Sequence, residues 1–123
     1  MDSTSHEVKP ITHEVLEKLT KKIAEIQTQF PQGLAQIILF GSHAKNQAKL
    51  SSDVDIALVF TSQKAQKIED KPYIEDLFFN TFEYLKMDFF CTTLEKLSQT
   101  HKKTDANFNI RQEGRLLWKT TAI

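Results

Sequence analysis

Residues 36–42 read QIILFGS and residues 53–60 read DVDIALVF, and these two stretches are the most informative part of the chain. Each contains an apolar run with the length of a buried strand; the first run ends at a glycine and the second begins at two carboxylates. Because side chains alternate along a strand, Asp53 and Asp55 are expected to point to the same face. The pattern predicts two strands joined by the connection 43–52, with both acids at the mouth of the second strand.

The turn after the first strand carries groups that suit a phosphate. Gly41 allows the backbone to approach a ligand closely, and Ser42 offers a hydroxyl. Opposite this turn stand the carboxylates of Asp53 and Asp55, which are typical ligands of hard divalent cations. The spacing of ten residues between Ser42 and Asp53 therefore indicates a site for a divalent metal ion that carries a phosphate group.

The composition is that of a single globular domain, residues 1–123, with a polar and flexible start over residues 1–9. Of the 123 residues, 40% are hydrophobic and 26% are charged, which is enough for a core of its own. The 16 basic and 16 acidic residues cancel, so no overall field collects nucleic acid or holds an anionic membrane. Nucleic acid is therefore disfavoured as a partner, and no membrane association is expected.

The cellular location follows from short apolar runs and a single cysteine. The runs are far shorter than a membrane span, and the N-terminus lacks the basic and apolar regions of a signal peptide. Cys91 cannot form an internal disulfide and is expected to be a small buried hydrophobic residue. We therefore expect a soluble, cytoplasmic protein.

The remaining elements alternate between helical and strand patterns. Apolar residues at steps of three and four predict a first helix capped by Thr12, and a second helix opens at Pro72. A third strand covers residues 87–91, Thr93 caps a short helix, and a last short strand covers residues 114–118. The predicted fold class is α/β (α+β), a small mixed β-sheet with helices packed on one face.

A third acid lies on the third predicted strand. If alternate residues of this strand face the core, Asp88 faces the other way, and an acid in an apolar strand is costly unless it has a partner or a metal. Three carboxylates from neighbouring strands would repel one another without a cation, and Mg²⁺ prefers oxygen ligands while leaving positions for water and phosphate. Asp88 is thus a candidate third metal ligand; the alternative is a solvent-facing acid on an edge strand.

These residues resemble the nucleotidyltransferase superfamily of the polymerase β type. The shared pattern is Gly-Ser, ten residues, Asp-x-Asp and a strand-borne Asp after a helix, and it covers about residues 34–118. The small size is most similar to the minimal members, the antitoxin-type adenylyltransferases of HEPN/MNT toxin–antitoxin pairs. The resemblance implies the nucleotidyltransferase fold, ATP as substrate, two Mg²⁺ ions, and a cognate HEPN ribonuclease toxin as partner in a hetero-oligomer.

Carried over position by position, the resemblance makes Asp53, Asp55 and Asp88 both the metal ligands and the catalytic acids. Gly41 would give the tight backbone approach, and Ser42 would hydrogen-bond the nucleotide phosphates. In the reaction implied, an acceptor hydroxyl attacks the α-phosphorus of ATP in line and pyrophosphate leaves. Asp88 would orient that hydroxyl and accept its proton.

The chain departs from this family directly after Gly-Ser. The family commonly has Arg, Ala, a basic residue and Gly there, whereas this chain has His43, Ala44, Lys45 and Asn46. A neutral His43 weakens the expected phosphate affinity, so Lys45 is the candidate that supplies the charge to the nucleotide. Asn46 tolerates a left-handed turn and keeps the shape of the loop. Because no acid is lost, we expect an active enzyme.

Three functions from different classes are compatible with this pattern. The first is an antitoxin-type nucleotidyltransferase that transfers AMP from ATP to a hydroxyl of a cognate HEPN ribonuclease toxin and neutralises it. The second is a small-molecule, aminoglycoside-like nucleotidyltransferase, which is disfavoured because the chain has no room for the walls of an acceptor pocket. The third is a non-catalytic antitoxin that acts by binding, which the intact carboxylates disfavour.

The second predicted helix carries more aromatic surface than one core face needs. Tyr73, Phe79 and Tyr84 extend its apolar residues beyond the roughly 100° stripe that faces a core. One interpretation is a docking face for a partner protein or a second copy of the chain. The other is that these rings pack under a loop or under the C-terminal segment.

Overall fold

The computed structural model of the chain describes residues 8–45, 53–79, 86–99, 102 and 104–121. None of the helices in these ranges has the length and apolar character of a membrane span. Along the chain the elements are α1 (Val8–Ile26), a 3₁₀ turn (Gln27–Gln29), β1 (Leu34–Phe40), β2 (Val54–Phe60), α2 (Asp70–Phe79), β3 (Met87–Thr93), α3 (Leu94–Gln99), α4 (Ala106–Glu113) and β4 (Arg115–Lys119).

The four strands form one mixed sheet in the order β3-β2-β1-β4. β1 runs antiparallel to both β2 and β4, whereas β2 and β3 run parallel. The parallel pair requires a crossover, and α2 lies within that connection. The mixed-sheet α+β class predicted from the sequence is confirmed.

Helices cover both faces of this sheet. On one face, Leu19 and Ile23 of α1 and Ile74 and Phe78 of α2 belong to the larger hydrophobic core. On the other face, Leu97 of α3 and Ile110 of α4 pack with inward-facing residues of β1 and β2, namely Ile38, Ala57 and Val59. The predicted arrangement with helices on one face therefore describes α1 and α2, and the structure adds a second helical layer.

The second layer explains why β2 is a continuous apolar run. Every residue from Ile56 to Phe60 is buried, because this central strand packs against helices on both sides. α4 contributes only Ile110 to the buried residues of that layer, so its sequence looks like a polar segment. Its start is marked by Asp105, whose side chain accepts a hydrogen bond of 2.8 Å from the backbone N–H of Asn107.

Two helix starts differ from the sequence-based prediction, and one agrees. α1 covers Val8–Ile26 and so includes residues before the predicted cap at Thr12, because a proline, here at position 10, is tolerated in the first turn of a helix. α2 likewise begins at Asp70, two residues before Pro72. The short helix α3 begins directly after Thr93, whose Oγ1 accepts a hydrogen bond of 3.2 Å from the Lys96 N–H, as the predicted cap requires.

Candidate active site

The candidate site lies where β2 and β3 begin, side by side. In the parallel register Asp55 is the partner of Asp88, and in the antiparallel register it is the partner of Phe40, the last residue of β1. Paired positions of neighbouring strands direct their side chains to the same face, so the carboxylates of Asp55 and Asp88 are neighbours. Asp53 directly precedes β2; it and Asp88 are exposed, whereas Asp55 is half-buried.

The two exposed acids act electrostatically on the half-buried Asp55. The pKa of Asp55 is raised above its ordinary value, first by burial and then by the negative charges of Asp88 and Asp53. Burial and the two neighbouring charges each disfavour the ionised form of Asp55. A cation placed among the three acids would offset the repulsion from Asp88 and Asp53. The site therefore places two negative charges beside a half-buried carboxyl group.

A turn with a left-handed glycine closes the site from the side of β1. Gly41 has a φ of +77°, and a Cβ atom built on it would lie 2.2 Å from Oδ2 of Asp55. A larger residue would thus meet both backbone strain and a carboxylate oxygen. The backbone N–H of Lys45 donates to the Gly41 carbonyl at 3.2 Å. This bond closes the turn over residues 41–45, which contains the half-buried Ser42.

The turn is held from outside by the corner between α4 and β4. Nε of Arg115 donates a hydrogen bond of 2.9 Å to the Ala44 carbonyl. Nζ of Lys45 lies 3.3 Å from Oε1 of Glu113, so the lysine proposed for phosphate binding is engaged in an ion pair. These contacts join residues about seventy positions apart, and no local sequence signal indicates Arg115 or Glu113 as part of the site.

His43 lies inside the turn. Its side chain is 1% exposed, and the neighbouring Ala44 is 5% exposed. The ring therefore packs within the protein and is closed off from solvent. The interpretation of His43 as a phosphate-facing group with reduced charge does not fit this position.

The donor set fits a divalent cation in its chemistry. Carboxylate oxygens are the ligands that Mg²⁺ prefers. The pKa of Asp55 is raised first by burial and then by the negative charges of Asp88 and Asp53, and a cation would offset these two charges. The structure brings Asp55 and Asp88 together as strand partners and places Asp53 beside them. Across the described ranges, no three His, Cys, Asp or Glu side chains are already arranged to hold a metal ion.

Other residues singled out by the sequence have mixed outcomes. Cys91 was predicted to be buried, but it is only half-buried, packed against the core, and burial raises the pKa of its thiol. On α2, Tyr73 is 45% exposed, and Ile68, in the loop before this helix, is 94% exposed. Asn46, Tyr84 and the side chain of Phe79 lie outside the described residues.

Comparisons with known proteins agree with this architecture. The model of the family described as Polymerase beta, Nucleotidyltransferase matches residues 21–122. No curated protein matches the chain at a significant level.

Solved structures share the fold at low sequence identity. A protein assigned as a nucleotidyltransferase from Sulfolobus solfataricus is 21% identical, with a TM-score of 0.56 over 88% of this chain and 83% of that one. A chain of a toxin–antitoxin complex with AMP-PNP is 20% identical, with a TM-score of 0.58 over 83% of this chain and 74% of that one.

A chain of a mutant MntA–HpeT toxin–antitoxin complex is 18% identical, with a TM-score of 0.56 over the same shares, 83% and 74%. At these identities the structural likenesses establish the fold alone. The family model, in contrast, spans the strands, the turn and the three acids described above. This chain therefore belongs to the polymerase β nucleotidyltransferase family.

Proposed function

We propose that this protein is an antitoxin-type nucleotidyltransferase that transfers AMP from ATP to a hydroxyl of a cognate HEPN ribonuclease toxin and thereby neutralises it. The observation that carries the proposal is the pairing of Asp55 with Asp88 beside the left-handed Gly41. This arrangement sets two carboxylates against a turn that a phosphate can approach, in a chain of the nucleotidyltransferase family.

The choice of nucleotide and partner draws support from similar structures. One similar chain comes from a toxin–antitoxin complex with AMP-PNP, an analogue of ATP, and another from the MntA–HpeT toxin–antitoxin complex. The exposure of Asp53 and Asp88 also favours a large acceptor, because a group on the surface of another protein can reach them directly. A small-molecule acceptor would need walls around these acids.

The residues of the chain divide the chemistry among them. Asp53, Asp55 and Asp88 would hold Mg²⁺, which when bound neutralises the triphosphate and the charge that develops on it. The Ser42 hydroxyl would bind the phosphates. Asp88 would orient the acceptor hydroxyl and take its proton as the new oxygen–phosphorus bond forms and the bond from the α-phosphorus to pyrophosphate breaks.

The test is AMP transfer to the partner with matched carboxylate variants. The candidate partner, taken from the neighbouring reading frame, is mixed with ATP, Mg²⁺ and either wild-type protein or the Asp53→Asn/Asp55→Asn variant, and its intact mass and ribonuclease activity are recorded. Glu17→Gln/Glu25→Gln on the exposed side of α1 removes the same charge far from the site and serves as control. We expect the wild type and the control to add AMP and to suppress the ribonuclease.

The double Asp variant should keep its fold but lose both the added mass and the suppression, since amides keep the shape of the carboxylates and relieve their repulsion. Chelation of Mg²⁺ with EDTA should have the same effect on the wild type. A double variant that still suppresses the unmodified partner would show that binding alone neutralises it. Transfer of AMP to a small molecule, and not to the partner, would favour a small-molecule, aminoglycoside-like nucleotidyltransferase.

A further inference from the structure

We propose that Arg115 is a positioning residue that holds the nucleotide-binding turn, residues 41–45, against the sheet through the Ala44 carbonyl. The role in nucleotide binding rests on the function proposed above. Arg115 does not touch the acids; it acts through the backbone of the turn that carries Ser42. Its removal should therefore weaken ATP binding more than it slows the chemical step.

The register of the sheet puts Arg115 next to this turn. As the first residue of β4 it pairs with Leu39, two residues before Gly41. From there its Nε donates the 2.9 Å hydrogen bond to the Ala44 carbonyl. A guanidinium group is planar and always charged, so this bond is directional and independent of pH in the physiological range.

The corner that carries Arg115 is itself tightly placed. The N–H of Gly114 donates to the Ile110 carbonyl at 3.0 Å, which ends α4. A Cβ atom on Gly114 would lie 2.4 Å from the Ile110 oxygen and 2.5 Å from Cγ2 of Ile38 in β1. Because α4 and β1 leave no room at this point, the arginine is anchored to the strand that leads into the turn.

A second contact from the same corner reaches the same turn. Glu113 precedes Gly114 and pairs with Lys45 at 3.3 Å, although both side chains are more than 40% exposed. An exposed ion pair contributes little, so the Arg115 bond is the stronger of the two tethers. The internal bond of the turn, from the Lys45 N–H to the Gly41 carbonyl, does not depend on either contact.

The position of the turn matters because it sets where Ser42 stands relative to the acids. Gly41 lies against the Asp55 carboxylate: a Cβ atom built on Gly41 would be 2.2 Å from Oδ2 of Asp55. A turn released from Arg115 can move away from that carboxylate, and the phosphates would then lose simultaneous contact with the serine and the metal-binding acids. A binding group that is already held in place loses less freedom when the substrate binds, so loss of the Arg115 bond should weaken the affinity for ATP.

The experiment compares two arginines of the same segment that each donate to a carbonyl. Arg115→Gln removes the bond to Ala44, and Arg111→Gln removes a 2.7 Å bond to the Leu97 carbonyl on α3, away from the site. We expect Arg115→Gln to weaken Mg-ATP binding and raise the KM for ATP by about five- to tenfold, with kcat within about twofold. Arg115→Lys should restore part of this loss, and Arg111→Gln should leave the KM unchanged.

Amide hydrogen exchange of the full chain, measured without nucleotide, tests the tether separately. Arg115→Gln should speed exchange of the Lys45 amide, and Arg111→Gln should not. Unchanged exchange, or equal Mg-ATP affinity in the two Gln variants, would overturn the positioning role. If exchange is faster in Arg115→Gln but neither the wild type nor any variant binds ATP, the proposed function is contradicted. The role of Arg115 in nucleotide binding would then be contradicted as well.

Discussion

Gly41→Ala is the substitution whose cost can be worked out most directly from the structure. An alanine at a φ of +77° costs about 1–2 kcal/mol in backbone strain. Its Cβ would also lie 2.2 Å from Oδ2 of Asp55, and overpacking of this kind costs about 1–3 kcal/mol. Alanine also makes the unfolded chain less flexible, which stabilises the folded protein by about 0.4–1 kcal/mol. The free energy of unfolding should therefore fall by roughly 1–4.5 kcal/mol in total.

The two parts of this cost can be separated by urea unfolding of a double-mutant cycle. In an Asp55→Ala background the carboxylate is gone and the nearest remaining Asp55 atom, its Cβ, is 3.3 Å away, so mainly the backbone strain remains. We expect Gly41→Ala to cost about 1–3 kcal/mol less there than in the wild type. The control is Gly33→Ala, whose Cβ would lie 2.6 Å from the Cβ of Ala65, away from the acids.

The activity of these variants completes the test. Gly33→Ala should lower the free energy of unfolding without changing the affinity for Mg-ATP, whereas Gly41→Ala should lower both, because the displaced carboxylate is a proposed metal ligand. A loss of stability below about 0.5 kcal/mol, or equal losses in the two backgrounds, would refute the argument that Gly41 is required by the close approach to Asp55.

Two further predictions follow from burial and charge. His43→Arg should lower the free energy of unfolding by about 2 kcal/mol or more without tightening ATP binding, because the position is 1% exposed and would bury a larger cation; tighter binding with unchanged thermal stability would contradict it. The pKa of Asp55 is raised in the folded protein, so its ionised form opposes folding above that pKa, and the penalty fades as the pH falls through it. Asp55→Asn should therefore raise the urea midpoint at pH 7.5 in the absence of Mg²⁺, and this gain should shrink as the pH is lowered; a gain that grows on acidification would show the opposite sign of the shift.

Local chemistry let the sequence predict the two central strands and single out the three acids of the candidate site. The strands are short apolar runs bounded by a glycine and by carboxylates, and side-chain alternation depends only on neighbouring residues. The cap at Thr93 was predictable for the same reason, since a side chain that bonds the N–H three residues later needs no distant partner. Membership of the nucleotidyltransferase family followed from this local pattern.

The neighbours of the acids and the contacts of the turn at residues 41–45 depend on elements that are distant in the sequence. Asp55 and Asp88 become partners only through the parallel register of β2 and β3, which a crossover containing α2 brings together. The hydrogen bond from Arg115 to Ala44 depends on an edge strand that returns about seventy residues later. The burial of His43 is likewise a property of the folded chain that its local sequence does not indicate. α4 was not predictable because a helix that buries one apolar residue has no periodic pattern, and its place is set by the second face of the sheet that it covers.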